Sequence, residues 1–441
     1  MNQSIKYRRQ LPLIACLAIL TIALVFAFPP TAGSDSSRKP SRILSTATVE
    51  GRLAVFDDVW QTINDRYYDP EFHGINWQAQ RDVFRPKAAV AANGEQLYSL
   101  LRQLISQLHD VHTRVHGPDE KFNWWSPRFV SVGLAVRNID NQPTVIRVDE
   151  GSQPDRAGVE PGDIIERVDG IRALTVIEDR ILSQQPAALR ASTRLRAFSA
   201  LLEGSPKTEV EVHWRTKTGE LRSGRFQRAL LRRQLGMRAR MKNRTLIVQL
   251  DAFTPKLAIE FTRMLKSRIK SARGIVLDLR ENGGGEAEAM AEVASAFLGG
   301  GLEIGTFTDR WGTSFTIKTR ARSLLAPETL PHTTLPLVVL TSERTSSAAE
   351  IFVSSMRTAN RAKILGGETC GCVLAIRHQH ELPDGGVLDV SELDFRTSQG
   401  IRLEQNGITP DEAVGIQRRD LYANRDSVLQ LAIKRLTDNP R

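Results

Sequence analysis

The sequence is poor in cysteine and in aromatic side chains. Its 441 residues include 3 cysteines, and aromatic residues make up 6% of the chain. Cys16 lies in an apolar N-terminal run, which leaves Cys370 and Cys372 as one close pair. This count excludes a fold held together by several disulfides, and no cysteine spacing matches a zinc finger. The 41% of hydrophobic residues and the length are instead typical of a globular protein with two or three domains.

Acidic residues are outnumbered by basic ones. The formal net charge is +10 and the isoelectric point is about 9.7. Much of the excess is arginine spread along the chain, as in residues 222–240 (RSGRFQRALLRRQLGMRAR). A basic surface attracts anionic lipid, nucleic acid or acidic protein without selecting one of them. Because no nucleic-acid-binding motif accompanies the charge, we expect no nucleic-acid partner.

The N-terminus has the pattern of an export segment. Lys6, Arg8 and Arg9 precede an uncharged apolar run of 18 residues, LPLIACLAILTIALVFAF (11–28). A basic stretch followed by such a run indicates a signal peptide, and the run is also long enough to anchor the chain in a bilayer. We therefore predict a signal peptide or membrane anchor over 1–33 and a linker over 34–48. The remainder would be periplasmic or otherwise extracytoplasmic, in association with the inner membrane.

The rest of the chain divides by its hydrophobic pattern. Helical spacing predicts a helical domain over 49–118, too small and one-sided to stand without packing on another part. Short strands separated by Gly, Asp and Pro predict a β-rich domain with helices over 119–230. Alternating strands and helices predict an α/β core with largely parallel strands over 231–420, followed by a helical tail over 421–441. The predicted fold class is therefore α/β.

The predicted β-rich domain contains two sequence segments that are typical of a known domain family. The segments SVGLAV (131–136) and QPDRAGVEPGDIIERVDG (153–170) resemble those of PDZ domains. The resemblance implies that an extended peptide adds to a strand edge, and that backbone groups capture its terminal carboxylate. Val132, Gly133 and Leu134 would form this edge.

Two strand ends in the core carry the polar residues needed for chemistry. DLRENGGG (278–285) follows a buried strand, and its glycines suit an oxyanion hole, a phosphate-binding loop or a simple turn. No G-K-[ST] follows, which disfavours a nucleotide site. SERTSSAAEI (342–351) stands between a strand and a helix, where its hydroxyl residues can cap the helix or supply a nucleophile.

The order of motifs resembles the tail-specific, or C-terminal processing, serine peptidases. The chain presents FDDVWQTINDRYYDPEF, the PDZ-like segment, DLRENGG, SERTSSAAEI, GETCGC and NGITPDE in that order. The resemblance implies a mixed or parallel-sheet α/β peptidase core in which Ser347 attacks the substrate. The amides of Ala348 and Gly284 would hold the oxyanion. It implies no metal and no cofactor.

Two branches of these peptidases differ in the residue that serves as the general base. Many members use a lysine in a T-F-G-K-G context, but here the context is TCGC and Cys372 takes the lysine position. LHDVHTRV (108–115) is instead similar to the L-x-D-x-H-T signature of the tricorn-type branch. That similarity implies His112 as the base and Glu404 as the carboxylate that orients it. His109, His112 and His116 also have a spacing that suits a metal, but no further ligand cluster accompanies them.

The expected function is a serine endopeptidase of the C-terminal processing type, acting on protein substrates recruited through a PDZ domain. Two alternatives stay open at this point. The chain is a binding protein whose catalytic site has decayed, which the missing lysine favours. Or it is a peptidase regulated by the thiols of Cys370 and Cys372, although a bridge across one residue would be strained and two small buried residues would fit as well.

Overall fold

A computed structural model describes residues 44–120, 128–182 and 191–438. The predicted export segment and the first ten residues of the predicted linker, 34–43, lie outside these ranges. Within them, no helix is both long and apolar enough to cross a bilayer.

The first described part is helical, as the periodicity predicts. Asn93 caps one helix by accepting a hydrogen bond from the Gln96 N–H at 2.9 Å, and Thr48 caps another in the same way. The buried faces of these helices share a core with Leu382, Leu388 and Val390, so the segment does pack on a distant part of the chain. The elements are α1 (Val49–Arg66), α2 (Trp77–Ala89), α3 (Gly94–Ser106) and β1 (Arg114–His116), which pairs with β18 (Val387–Asp389), itself paired with β17 (His380–Glu381).

An antiparallel sheet follows, in the order β3-β4-β5-β7-β8 with β6 against β5. The segment VSVGLAVR (130–137) is divided between two strands, because Gly133 takes φ 92 and turns the backbone between them. The first of these strands, β2, leaves the sheet to pair with β9. The elements are β2 (Arg128–Ser131), β3 (Leu134–Ile139), β4 (Gln142–Val148), α4 (Gln153–Arg156), β5 (Ile164–Val168), β6 (Ile171–Arg172), α5 (Ala173–Leu182), α6 (Ala191–Ser199), β7 (Glu209–Arg215), β8 (Leu221–Gln227) and β9 (Ala229–Arg232).

The core is a six-stranded sheet in the order β10-β11-β12-β15-β16-β20, parallel from β11 onward, with β10 antiparallel at one edge. Its apolar strands are covered by α7, α8 and α9 on one face and by α11 on the other. The elements are β10 (Met237–Lys242), β11 (Thr245–Leu250), α7 (Pro255–Arg268), β12 (Gly274–Asp278), α8 (Ala287–Leu298), β15 (Leu337–Thr341), α9 (Ala348–Thr358), β16 (Lys363–Gly366), β20 (Glu412–Ala413), α10 (Arg418–Tyr422) and α11 (Ser427–Asp438).

A second antiparallel sheet, in the order β14-β13-β19, was not expected from the sequence. It joins β13 (Glu303–Asp309) and β14 (Ser314–Lys318) to β19 (Leu393–Thr397), far along the chain. The predicted α/β core and helical N-terminal segment are both observed. In a parallel sheet the carboxyl ends of the strands meet at one edge, so the loops after β12 and β15 lie side by side.

Candidate active site

Ser347 occupies a strained turn between β15 and α9. Its backbone has φ 55 and ψ −127, a conformation that is unfavourable for a residue with a side chain. The Ser347 N–H is held by the carbonyl oxygen of Cys372 at 2.8 Å and by Glu350 Oε2 at 3.2 Å. The strain is therefore maintained by specific contacts, as at a nucleophile placed on a sharp strand-to-helix turn.

The other hydroxyl residues of this turn have structural positions. Thr345 is fully buried, and its Oγ1 donates to the carbonyl oxygen of Leu279 at 2.8 Å. Ser342 Oγ donates to the carbonyl oxygen of Arg280 at 2.5 Å. These bonds fix the turn to the end of β12, which leaves Ser347 as the residue in the strained position.

The glycine turn after β12 lies directly against Ser347. Gly284 has φ 99, and a Cβ built on it would lie 2.6 Å from the Cβ of Ser347, so only glycine permits this approach. The Gly284 N–H, predicted to hold the oxyanion, is donated to Asn282 Oδ1 at 2.8 Å. By contrast, the Ala348 N–H has no hydrogen-bond partner within the described residues. Ala348 thus presents the free helix N-terminal donor beside Ser347 that an oxyanion needs.

Glu350 connects the Ser347 turn to the loop at 369–372. Its buried carboxylate accepts hydrogen bonds from Thr369 Oγ1 at 2.5 Å, from the Gly371 N–H at 2.7 Å and from the Cys372 N–H at 2.9 Å. Burial raises the pKa of Glu350 to about 7, although these donors oppose the shift. Glu350 lies in the first turn of α9, three residues after Ser347. The capping pattern marked its position, but its partners nineteen to twenty-two residues later could not be read from it.

Cys370 and Cys372 form a disulfide with a Cα–Cα distance of 5.3 Å. The Cys370 N–H donates to the carbonyl oxygen of Thr345 at 3.0 Å, and the carbonyl oxygen of Cys372 accepts from Ser347. The bridge therefore lies in the loop that supports the strained turn.

Glu404 lies on the other side of the same loop. Its Oε2 accepts from the Val373 N–H at 2.7 Å and from the Leu374 N–H at 3.3 Å, and the residue is buried. Burial raises the pKa of Glu404 to about 7, and the nearby carboxylates of Asp110 and Glu350 raise it further in the same direction. Ser347 and Glu404 are thus joined through the adjacent residues 372 and 373.

His112 lies on the segment between α3 and β1. Its backbone N–H and that of Thr113 both donate to Asp110 Oδ1 at 2.7 Å, and Ser391 Oγ donates to the same oxygen at 3.0 Å. The Nδ1 atom of His112 is buried and has no hydrogen-bond partner among the residues that the structure describes. Burial lowers the pKa of His112 to about 4, assisted by the positive charge of Arg114.

The structure thus connects two of the three predicted catalytic residues more closely than the third. Ser347 and Glu404 share one supporting loop, and His112 is related to them through Asp110, whose charge acts on Glu404. Within the described residues, no hydrogen bond joins His112 to Ser347 or to Glu404. In the same part of the chain, no group of three metal-ligating side chains is placed to hold an ion, and this includes the histidines near 112.

The predicted peptide-binding residues lie at the start of β3. Leu134 begins the strand, Val132 is buried, and the Gly133 N–H donates to Ser131 Oγ at 2.9 Å. Among the described strands β3 pairs only with β4, so its other edge is unpaired. The far end of β3 borders a crevice of about 400 Å³ at the carboxyl edge of the core sheet. The crevice is lined in part by Ile139, Asp140, Asp278, Ser342, Glu343 and Gly367.

Family models match two parts of the chain. Residues 244–414 match Peptidase family S41, and residues 50–106 match the Tricorn protease C1 domain. The first match contains the Ser347 turn and Glu404, and the second contains most of the helical segment.

Whole proteins are similar over most of the length. The "Carboxyl-terminal-processing protease" of Synechocystis sp. is 28% identical over 390 residues, covering 86% of this chain and 85% of that protein. The "Carboxyl-terminal-processing peptidase 1, chloroplastic" of Arabidopsis thaliana is 26% identical over 376 residues, covering 81% and 71%.

Solved structures share the fold. Mature CPAF superposes with a TM-score of 0.67 at 13% identity, covering 89% of this chain and 98% of that one. The photosystem II D1 C-terminal processing protease gives a TM-score of 0.52 at 22% identity, covering 83% and 93%.

Proposed function

We propose that this chain is a serine-type peptidase of family S41, and that it cleaves protein substrates through an acyl-enzyme on Ser347, with His112 as the base. The observation that carries the proposal is the strained conformation of Ser347 beside the free amide of Ala348. Strain of this kind is retained where function needs it, and a hydroxyl beside a helix N-terminus is well placed to attack a carbonyl.

The proposed reaction has two halves. Ser347 Oγ attacks the carbonyl carbon of the scissile bond, its proton passes to His112, and the new oxyanion is held by the Ala348 N–H. The C–N bond then breaks, and His112 returns the proton to the leaving amine. Water attacks the acyl-enzyme by the same route and releases Ser347.

His112 has the protonation state that this role requires. With its pKa lowered to about 4, the imidazole is neutral at ordinary pH and can accept a proton. Its Nδ1 has no hydrogen-bond partner within the described ranges, so an approach induced by substrate would complete the contact with Ser347. Substrate binding that moves the His112 segment toward the turn is part of the proposal.

Glu404 is proposed to stabilise the charged form of His112 during the reaction. The support is its burial beside the loop that holds Ser347 and the action of the Asp110 charge on it. In that arrangement Asp110 shapes the His112 segment, and Glu404 supplies negative charge within the site.

Substrate recruitment is proposed to use a PDZ-like domain over 119–230. A peptide whose terminal carboxylate lies at Gly133 would add antiparallel to the free edge of β3. Its upstream residues would then extend past Ile139 into the crevice at the carboxyl edge of the core. This direction leads a protein tail from the recruiting strand toward the catalytic domain.

The cellular location of the protein is proposed from its N-terminal sequence. The basic residues and the apolar run over 11–28 would direct the chain across a membrane and either be removed or hold it there. The catalytic part would then face an extracytoplasmic compartment such as the periplasm.

Two alternative functions have specific support. A binding protein with a decayed site is favoured by cysteine in place of the Ser-Lys lysine and by the lack of a His112–Ser347 hydrogen bond. A thiol-regulated peptidase is favoured by the disulfide next to the Ser347 turn.

The test is cleavage of casein by the purified chain, with Ser347→Ala compared with the neighbouring Ser346→Ala. We expect Ser347→Ala to lose at least about a thousandfold of kcat/KM, while Ser346→Ala stays within about tenfold. A fluorophosphonate probe should label the wild type at Ser347 and fail to label Ser347→Ala. Equal cleavage by both variants would contradict the nucleophile assignment, and no cleavage or labelling by folded wild type would favour the binding protein.

A further inference from the structure

Exposed cations are concentrated at the edge of the core sheet opposite the Ser347 turn. Two of them flank the turn between β10 and β11, one directly precedes β12, and two lie at and just beyond the end of α7. We call this set the basal cationic face: Lys242, Arg244, Arg268, Lys270 and Arg273.

Backbone contacts hold these residues on one surface. The Arg273 N–H donates to the carbonyl oxygen of Arg244 at 2.7 Å. Arg268 Nη1 donates to the carbonyl oxygen of Ala239 at 2.9 Å, which places the end of α7 beside β10. Thr245, the residue paired with Lys242, is itself paired with Gly274 at the start of β12. The face therefore lies at the amino ends of the parallel strands.

The charge on this face is not balanced by ion pairs within the described residues. None of its five members has a carboxylate within ion-pair distance there, whereas Arg280 at the opposite edge pairs with both Asp278 and Asp426. The sequence agrees, since no acidic residue occurs between Glu260 and Asp278. Like charges that lack ion-pair partners repel one another, and contact with an anionic surface would relieve this repulsion.

We propose that the basal cationic face binds the phosphate headgroups of anionic lipid at a membrane surface. Lipid is favoured over nucleic acid because Trp311, the one aromatic among the exposed large hydrophobic residues that the structure describes, lies in the β13–β14 turn and not on this face. Met241, 39% exposed between Arg240 and Lys242, adds an apolar side chain of the kind that enters the headgroup region.

The length of the chain allows this contact. Residues 29–43 separate the apolar run from the first described residue. An extended segment of that length reaches on the order of 50 Å, so a chain held by its N-terminus can turn the face to the same bilayer.

This orientation deepens the proposed function and rests on it. The parallel strands run from the basal cationic face to the Ser347 turn, so a chain lying on this face has its active site turned away from the lipid. The peptidase would then act on protein tails that project from the membrane, and not on segments lying within it.

The experiment compares binding of the purified full chain to vesicles of neutral phosphatidylcholine and to vesicles that also contain 30% phosphatidylglycerol. Taking the ratio of the two affinities removes the contribution of the apolar N-terminal run. The test variant is Lys242→Glu with Lys270→Glu and Arg273→Glu. The matched control makes the same change in net charge on the β-rich domain: Arg172→Glu, Lys207→Glu and Lys217→Glu, all exposed.

We expect wild type and control to prefer anionic vesicles at least tenfold at 50 mM salt, and to lose this preference near 500 mM salt. The test variant should show a preference below threefold with casein cleavage unchanged, because none of its positions contacts the site. Equal preference in test and control variants would overturn the proposal. So would tighter binding to duplex DNA, to polyphosphate or to an acidic protein than to anionic vesicles at the same salt. Lipid binding without any proteolysis would instead contradict the proposed function, while the basal cationic face would still be assigned to lipid binding.

Discussion

Ser347 donates its backbone N–H to the carbonyl oxygen of Cys372 across 2.8 Å, and Cys372 is one end of a disulfide. The residue that occupies the lysine position of the Ser-Lys branch thus contacts the proposed nucleophile through its backbone. Cys372 thus supports the strained turn, and the proposed mechanism assigns the proton of Ser347 to His112 instead.

Reduction of the Cys370–Cys372 bond should lower peptidase activity. The two cysteines enclose Gly371, whose N–H binds Glu350 together with that of Cys372, so opening the bridge loosens the support of Ser347. We expect about a tenfold fall in kcat/KM in reductant and recovery on reoxidation, measured with a casein substrate. The variant with Cys370→Ser and Cys372→Ser should not respond to reductant. Unchanged wild-type activity in reductant would remove thiol regulation from consideration.

Substitution of two neighbouring glycines should have unequal effects. Gly284→Ala forces a Cβ to 2.6 Å from that of Ser347 at φ 99, so we expect at least a hundredfold loss of activity and a stability loss of about 1–3 kcal/mol. Gly283→Ala is the matched control, because its nearest neighbour, Ser346 Oγ, would lie 3.9 Å away. Activity assays and urea unfolding measure the activity and the stability of each variant. Similar behaviour of the two variants would mean that contact with Ser347 does not decide the outcome.

The pH dependence of kcat/KM should identify the group that controls the base. If neutral His112 suffices, activity should persist to low pH and fall by half near pH 4, where His112 becomes protonated. Arg114→Gln removes a positive charge that lowers this pKa, so it should move the acidic limb to higher pH. If the wild-type kcat/KM instead falls near pH 7, and this fall is absent in Glu404→Gln, ionisation of Glu404 and not of His112 controls the activity.

Glu404 should make the protein less stable as the pH rises. Its pKa is about 7 in the folded state against an ordinary value of 4.5, so the folded state binds this proton more tightly. The resulting decrease in the free energy of unfolding is absent below about pH 4.5 and grows as the pH rises to about 7. Above that pH it is constant at about 3 kcal/mol.

Glu404→Gln should remove the part of this slope that comes from Glu404, while the comparable part from Glu350, whose pKa is also raised to about 7, should remain. The amide oxygen can still accept from Val373, while the charge is gone, so urea unfolding should find the variant more stable than wild type at pH 8 and similar at pH 4.5. The exposed Glu303→Gln serves as control and should follow wild type at both values. An unchanged slope in Glu404→Gln would show that Glu404 is not the responsible carboxylate.

Local patterns in the sequence predicted the elements but not the contacts between distant loops. The apolar run before Ser342 and the helical spacing after Ser347 were sufficient to place a strand–turn–helix there. The four contacts of Glu350 could not be predicted, because three of their donors come from residues 369–372 and approach only in the folded chain. Gly284 was predicted to hold the oxyanion and lies beside Ser347, but the turn of its N–H toward Asn282 depends on backbone angles that the residue order does not determine.

The pairing of strands that lie far apart along the chain could not be predicted from the sequence either. The partners in the β13–β19 pair, such as Phe307 and Phe395, lie far apart along the chain, and neither strand shows a pattern that selects the other. The split between β2 and β3 follows from one glycine with positive φ, which an alternating pattern does not distinguish from a bend within a single strand.

The helical segment near the beginning of the chain is completed by residues near its end. Leu382, Leu388 and Val390 fill its core, and Ser391 supplies a hydrogen bond to Asp110, which shapes the segment bearing His112. A chain that crosses a membrane N-terminus first therefore presents its helices long before their partners emerge. Until about residue 391 has followed, Asp110 lacks its contact with Ser391 and the proposed base His112 lacks that support. If the chain is exported as proposed, we expect a partly translocated molecule to be inactive.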